Sequence, residues 1–155
     1  SPLGMCIKNG TIYGDYMTSY SVMAVKKDGT IYTPAQGLMG KNLLAAGVKD
    51  TYNFGPVLIK DGEAQLPWAE TEKYYPRTAV GMVKPNDYVL LVTDTGSYNG
   101  LNHWDMVNIF KSYGCTYAYN LDGGGSATLY FNGKVMNKLI GNTQRPCADF
   151  LYFTR

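Results

Sequence analysis

The chain has 155 residues, enough for one domain that buries roughly 70% of its unfolded surface without disulfide or metal staples. Its 14 Lys+Arg against 12 Asp+Glu give a net charge of +2, and charged residues make up 17% of the chain. That balance excludes a nucleic-acid footprint, which needs a concentrated basic stripe. No apolar run approaches the ~18–20 residues of a membrane span. A single histidine, His103, excludes a histidine-rich metal centre. Cys6, Cys115 and Cys147 lie far apart with no CxxC, which excludes a zinc ribbon or thioredoxin motif and leaves room for one long-range disulfide beside a free thiol. The first residues, Ser1-Pro2-Leu3-Gly4-Met5, do not read as a signal peptide, so targeting is not readable from them.

In chain order, hairpin signals come first. Asn9-Gly10, Asp28-Gly29, Asp61-Gly62 and Asn132-Gly133 each separate apolar, β-branched or tyrosine-rich runs. Both positions of such a turn need positive φ, which these residues tolerate, so each dipeptide predicts an antiparallel pairing. Lys84-Pro85-Asn86-Asp87 predicts another turn, between Thr78–Val83 and Tyr88–Thr93. Gly40–Gly47 reads as a short helix, and a stronger helix runs from about His103 to Tyr113. Asn102 caps the latter with Asp105 three residues on. Trp104, Val107, Phe110 and Tyr113 fall at helical spacing, and Gly114 stands where a C-terminal glycine belongs. The end of the chain, Phe150–Arg155, reads as strand-like.

Strand Tyr88–Thr93, the second helix and strand Thr116–Leu121 form a strand–helix–strand unit, most simply a βαβ crossover with parallel strands. The predicted class is therefore α+β: a mostly antiparallel twisted sheet of hairpins with one parallel βαβ element and two helices. Both strands of the crossover end in an aspartate followed by a glycine-bearing loop, Asp94-Thr95-Gly96 and Asp122-Gly123-Gly124-Gly125-Ser126. Ligands bind outside the carboxyl ends of such strands. If the strands are neighbours, ~4.8 Å apart, the two carboxylates share one site.

The Asp122–Ser126 run is the sharpest feature. Consecutive glycines let backbone N–H groups turn inward as an anion nest. It is not a Walker loop, because no Lys follows and the next segment, Ala127–Phe131, reads as a strand. A plain flexible turn is the alternative. Asp94 and Asp122 together are the usual equipment for glycosidic cleavage, or each simply caps a loop by an Asx turn. Arg77 and Arg145 are bidentate phosphate partners or ordinary surface arginines. His103 has no identifiable nucleophile beside it and reads as a helix-start residue. Cys115 and Cys147 read as buried small apolar residues, and Tyr117, Tyr119 and Tyr130 as core or sheet-face residues.

The order Arg77-Thr78-Ala79-Val80-Gly81, Leu91-Val92-Thr93-Asp94, Gly100-Leu101, Asn120-Leu121-Asp122-Gly123-Gly124-Gly125-Ser126-Ala127-Thr128, Asn132-Gly133 and Arg145-Pro146 resembles the phosphodiester glycosidase domain family. The upstream hairpin Phe54-Gly55-Pro56-Val57-Leu58-Ile59-Lys60-Asp61-Gly62 resembles the same family, and the resemblance runs from about residue 3 to 153. It implies hydrolysis of a sugar 1-phosphodiester of the N-acetylglucosamine-1-phosphodiester kind, releasing the sugar and leaving a phosphomonoester. It implies Arg77, Asp94 and Asp122 as catalytic residues. Substrate binding falls to Asn120, Gly123, Gly124, Gly125, Ser126, Thr95, Asp105 and Arg145, with Asp105 standing where many relatives carry Glu. The alternative is a non-catalytic glycan or anion-binding module of the same fold.

The expected partner is a sugar-phosphodiester or polysaccharide, with no nucleic acid and no membrane span. No cofactor is required by the sequence, though two neighbouring carboxylates would accept a divalent cation. The resemblance implies a secreted or cell-envelope location. Relatives carry an upstream Asn-Gly-Gly-Phe-type segment that lines the same cleft. The single domain, 1–155, is therefore expected to lack that segment or to pair with it as a separate piece.

Overall fold

Asn9 and Gly10, at φ 48° and 77°, turn β1 (Cys6–Lys8) back onto β2 (Thr11–Gly14) in a computed structural model that describes residues 4–66, 73–94 and 100–154. Asp61-Gly62 and Asn132-Gly133 adopt the same paired positive φ, joining β6 (Val57–Lys60) to β7 (Glu63–Ala64) and β11 (Tyr130–Phe131) to β12 (Lys134–Val135). The Asp28-Gly29 turn between β3 (Ser21–Lys26) and β4 (Ile31–Tyr32) differs, since only Gly29 has positive φ. There Asp28 Oδ1 accepts from Thr30 N at 2.8 Å, an Asx turn, and that bond holds its carboxyl below the usual range.

The short helix α1 (Gly40–Ala45) leads into β5 (Val48–Phe54), and β4-β3-β5 form a three-stranded sheet. The larger sheet runs β7-β6-β10-β8-β9, with β8 (Thr78–Lys84), β9 (Asp87–Val92) and β10 (Tyr117–Leu121). Helix α2 (His103–Ser112) connects β9 to β10. Asn102 caps it as the sequence predicts, its Oδ1 accepting from Asp105 N at 2.8 Å, while Gly114 follows at φ 75°.

The crossover keeps its direction but loses its adjacency. Strands β9 and β10 each pair antiparallel with β8, so they run parallel to one another with β8 between them. Every hydrogen-bonded strand pair in the described residues is accordingly antiparallel. The expectation that the two strands are neighbours is thus corrected. The reason lies in the β8–β9 hairpin, which occupies the pairing edge that a direct crossover would need.

The layers are held by apolar clusters. Met23 and Ile31 of the small sheet pack against Val80, Met82, Tyr117 and Tyr119 of the large one. On the other face of the large sheet, Met106, Val107 and Phe110 of α2 cover Leu58, Ile59, Ala79 and Ala118. Trp104 and Tyr113, which share the predicted helical spacing, face solvent; the buried stripe is completed instead by His103 and Met106. Tyr119 bolts the two sheets together, its hydroxyl donating to Ser21 O at 2.6 Å and accepting from Phe54 N at 2.7 Å.

Toward the carboxyl end the pattern is looser than the sequence suggests. The run after Asp122 forms one 3₁₀ turn, Gly124–Ser126, before the short hairpin β11–β12. Phe150–Thr154 forms no strand, and Phe150 is 78% exposed. All three cysteines are free; Cys115 is buried, but Cys147 is exposed, against the expectation of a buried residue. Tyr117 and Tyr119 are buried and Tyr130 is exposed.

Candidate active site

Three strand ends meet at one sheet edge. Thr78, at the start of β8, pairs on one side with Val92 and on the other with Leu121. The last residues of β9 and β10 therefore flank it at one spacing each, about 10 Å apart in all. Asp94 lies two residues beyond Val92 and Asp122 one beyond Leu121, and both are exposed. The ladder carries on past β8 and β9: Thr93 N donates to Arg77 O at 2.9 Å, and Arg77 N donates to Thr93 Oγ1 at 2.8 Å. Thr95, expected to bind substrate, lies outside the described residues.

The glycine run is drawn hard against Pro76. A Cβ on Gly123 would sit 2.5 Å from Pro76 O, and the next amide, Gly124 N, donates to that same oxygen at 2.8 Å. Only glycine permits this approach. Most of the loop amides are already committed. Gly123 N donates to Asp122 Oδ1 at 2.9 Å and Ser126 N to Gly123 O at 2.9 Å. Gly123 N and Gly124 N are thus taken by a carboxylate oxygen and the Pro76 carbonyl, in place of the open nest expected from the three glycines.

The anion that Gly123 N holds is Asp122 itself. Its Oδ2 accepts from Ser126 Oγ at 2.8 Å and from Arg145 Nη2 at 2.7 Å, while Oδ1 takes Gly123 N. The Asp122 and Arg145 side chains are 48% and 56% exposed, so this cluster opens to solvent. It brings together Asp122, the glycines, Ser126 and Arg145.

The other candidates stand around this cluster. Arg77 uses its head group on backbone: Nε donates to Leu101 O at 3.0 Å and Nη2 to Lys73 O at 2.9 Å. Tyr75 and Leu101 are themselves bridged, N to O in both directions at 3.2 and 2.9 Å. Arg77 thus ties the run before β8 to the start of α2. Asp105 belongs to that helix start, where Oδ2 accepts from Asn102 N at 3.4 Å. Asn120 is 1% exposed and lies beneath the edge; its Nδ2 donates to Gly55 O at 2.7 Å, and its Oδ1 is buried without a partner among the described residues. His103 opens α2 and is buried.

Sequence reasoning passed over Tyr75. Its ring is half exposed, with the Arg77 guanidinium 5.2 Å from the ring centroid. The signal was an aromatic pair, Tyr74-Tyr75, two residues ahead of an arginine already singled out. Among the described residues no group of three or more His, Cys, Asp or Glu side chains is placed to hold a metal ion.

A model of the phosphodiester glycosidase family matches residues 1–154. The chain is 31% identical over 160 residues to the SPbeta prophage-derived uncharacterized protein YomE of Bacillus subtilis (strain 168), across 96% of this chain and 25% of that protein. It is 41% identical over 58 residues to the N-acetylglucosamine-1-phosphodiester alpha-N-acetylglucosaminidase of Mus musculus, across 37% of this chain and 11% of that enzyme. In three dimensions it is similar to the catalytic domain of the zebrafish N-acetylglucosamine-1-phosphodiester alpha-N-acetylglucosaminidase auto-inhibited by its pro-peptide. That likeness has a TM-score of 0.71 at 23% identity, over 90% of this chain and 51% of that one, and it shows the fold. The chain thus spans about a quarter of the prophage protein and half of the zebrafish chain.

Proposed function

The chain belongs to the phosphodiester glycosidase family, and we propose that it hydrolyses sugar 1-phosphodiesters of the N-acetylglucosamine-1-phosphodiester class, in envelope or exopolysaccharide glycans. The observation that carries this reading is Asp122, a carboxylate fixed by Gly123 N and Ser126 Oγ beside an arginine, at the same sheet edge as Asp94.

In this reading water attacks C1 as the C1–O bond to phosphorus-bound oxygen breaks. The electron pair of that bond leaves with the phosphomonoester, and the proton of the attacking water passes to a carboxylate. The leaving phosphate is already a stable anion, so little general-acid help is needed. Asp122 or Asp94 acts as the base. With β8 between their strands, the two aspartates flank the start of β8 from opposite sides, and either can take the proton of a water placed between them. Arg145 and Ser126 meet the phosphate, while Arg77 fixes the floor between the two aspartates.

Incubation with a GlcNAc-1-phosphodiester, followed by phosphorus and proton NMR, tests this. Free sugar plus a phosphomonoester, absent with Asp122→Asn, is the expected result. The proton spectrum of the first-formed sugar reads its anomeric configuration and so separates an inverting from a retaining reaction. One observation favours a second reading, a binding module without turnover: the resting Asp122 carboxylate already accepts three hydrogen bonds, so both its oxygens are occupied. Sugar-phosphate binding that survives Asp122→Asn, with no turnover before or after, would select that reading.

A further inference from the structure

Arg145 holds Asp122, one of the two carboxylates proposed as the base. Its Nη2 meets Asp122 Oδ2 at 2.7 Å, and among the described residues its other N–H groups have no partner. The contact is therefore one nitrogen on one oxygen, where the guanidinium fork can offer two parallel bonds. Its aliphatic stem runs past Gly125, where a Cβ would stand 3.7 Å from Arg145 Cδ. Both partners are about half exposed, so water weakens the pair and an arriving anion can reach it. Ser126 Oγ, the other donor to the same oxygen, lies within the same reach.

From these contacts we propose that Arg145 is a specificity-determining positioning residue that works by partner exchange. The phosphate of the substrate takes the arginine fork in two bonds, Asp122 loses its single-nitrogen tie, and the carboxylate becomes available to the attacking water. The Asp122 carboxylate is the resting occupant of the donor set that the phosphate claims. A phosphodiester therefore frees its own base. A glycoside without phosphate leaves Asp122 held, and is turned over poorly however well its sugar fits. The proposal rests on the reading of this edge as the phosphodiester site. It adds the coupling between phosphate recognition and base release.

Two measurements test it, one with turnover and one without. The first compares kcat/KM for a GlcNAc-1-phosphodiester and for a 4-nitrophenyl N-acetylglucosaminide of the same anomeric configuration, in wild type, Arg145→Gln and Arg145→Lys. With Arg145→Gln the diester is expected to lose roughly 10–100-fold, the worth of a charge-assisted bond. The nitrophenyl glycoside gains, because Asp122 is no longer tied, and Arg145→Lys falls between. Equal losses on both substrates would mean that Arg145 merely supports Asp122, and would overturn the proposal. So would a diester rate untouched by Arg145→Gln.

The second measurement titrates inorganic phosphate into protein labelled with carbon-13 at aspartate carboxyls and nitrogen-15 at arginine side chains. The Arg145 and Asp122 signals are expected to move together and saturate at one phosphate concentration, and the Asp122 signal to stay still in Arg145→Gln. Phosphate that fails to bind, or that binds with the Asp122 signal unmoved, overturns the exchange. Coupled movement with no turnover of either substrate would uphold the exchange and sink the glycosidase reading instead.

Discussion

Gly123→Ala separates a loop that merely turns from a loop that must touch the strand beneath it. Gly123 has negative φ, −128°, so the left-handed backbone that favours glycine elsewhere is not what requires it here. The added methyl would lie 2.5 Å from Pro76 O, and an ordinary contact needs the loop to retreat by about 0.9 Å. Retreat opens the 2.8 Å bond from Gly124 N to that oxygen, worth about 1 kcal/mol, and adds ~1–3 kcal/mol of overpacking. The smaller unfolded-state entropy of Ala returns about 0.4–1 kcal/mol. Net destabilisation is thus about 1–3 kcal/mol, read as a lower urea midpoint. Because Asp122 precedes the displaced residue, diester turnover should fall about 10²-fold, as misplacements near 1 Å do. Gly125→Ala is the matched control: its Cβ meets only Arg145 Cδ, at 3.7 Å, and the variant should be as stable as wild type or up to ~1 kcal/mol more so. Equal stability of the two variants would refute the account of the loop as packed on Pro76.

Other outcomes follow from the same contacts. Tyr119→Phe removes the bolt between sheets and strands Ser21 O and Phe54 N, both half-buried, at about 1 kcal/mol each. A fall in Tm of roughly 4–8 °C checks it. Burial pushes the phenols of Tyr117, Tyr119 and Tyr52 above their usual value near 10. Each folded pKa is raised, so this stabilisation is complete below about pH 10 and is lost as pH climbs from there, since the unfolded chain ionises first. The urea midpoint should drop between pH 9 and pH 11, less steeply in Tyr119→Phe; a flat profile contradicts it. Cys147 should react with a thiol reagent within seconds in the native protein, whereas Cys115 is buried and its thiol is pushed up by burial, so it should react only on unfolding.

Much of this architecture is written locally. The Asn-Gly and Asp-Gly turns, the Asn102–Asp105 cap and the direction of the crossover all depend on residues close in sequence, and the family motif marks the Asp122 loop. What local pattern does not carry is lateral position. Nothing in Tyr88–Thr93 or Thr116–Leu121 says that a third strand lies between them, because that depends on the β8–β9 hairpin competing for the same edge. Nor does a run of three glycines reveal whether its amides face outward or, as here, are consumed by Asp122 and Pro76. The Arg145–Asp122 pair, 23 residues apart, joins two motifs that the sequence displays without connecting. The misread carboxyl end has a similar cause: Phe150–Thr154 has the composition of a strand, but among the described residues it finds no strand to pair with.

The position of β10 has a consequence for how the site comes into being. It is the last strand of the large sheet in the chain yet sits at its centre, between β6 and β8. Until residues 117–121 have been made, β6–β7 and β8–β9 are two separate hairpins, each with an open edge and neither with a cleft. The strand that joins them carries the Asp122 loop directly behind it. Insertion of this one segment completes the sheet and brings the carboxylate to its edge, while the arginine that meets it is made only 23 residues later.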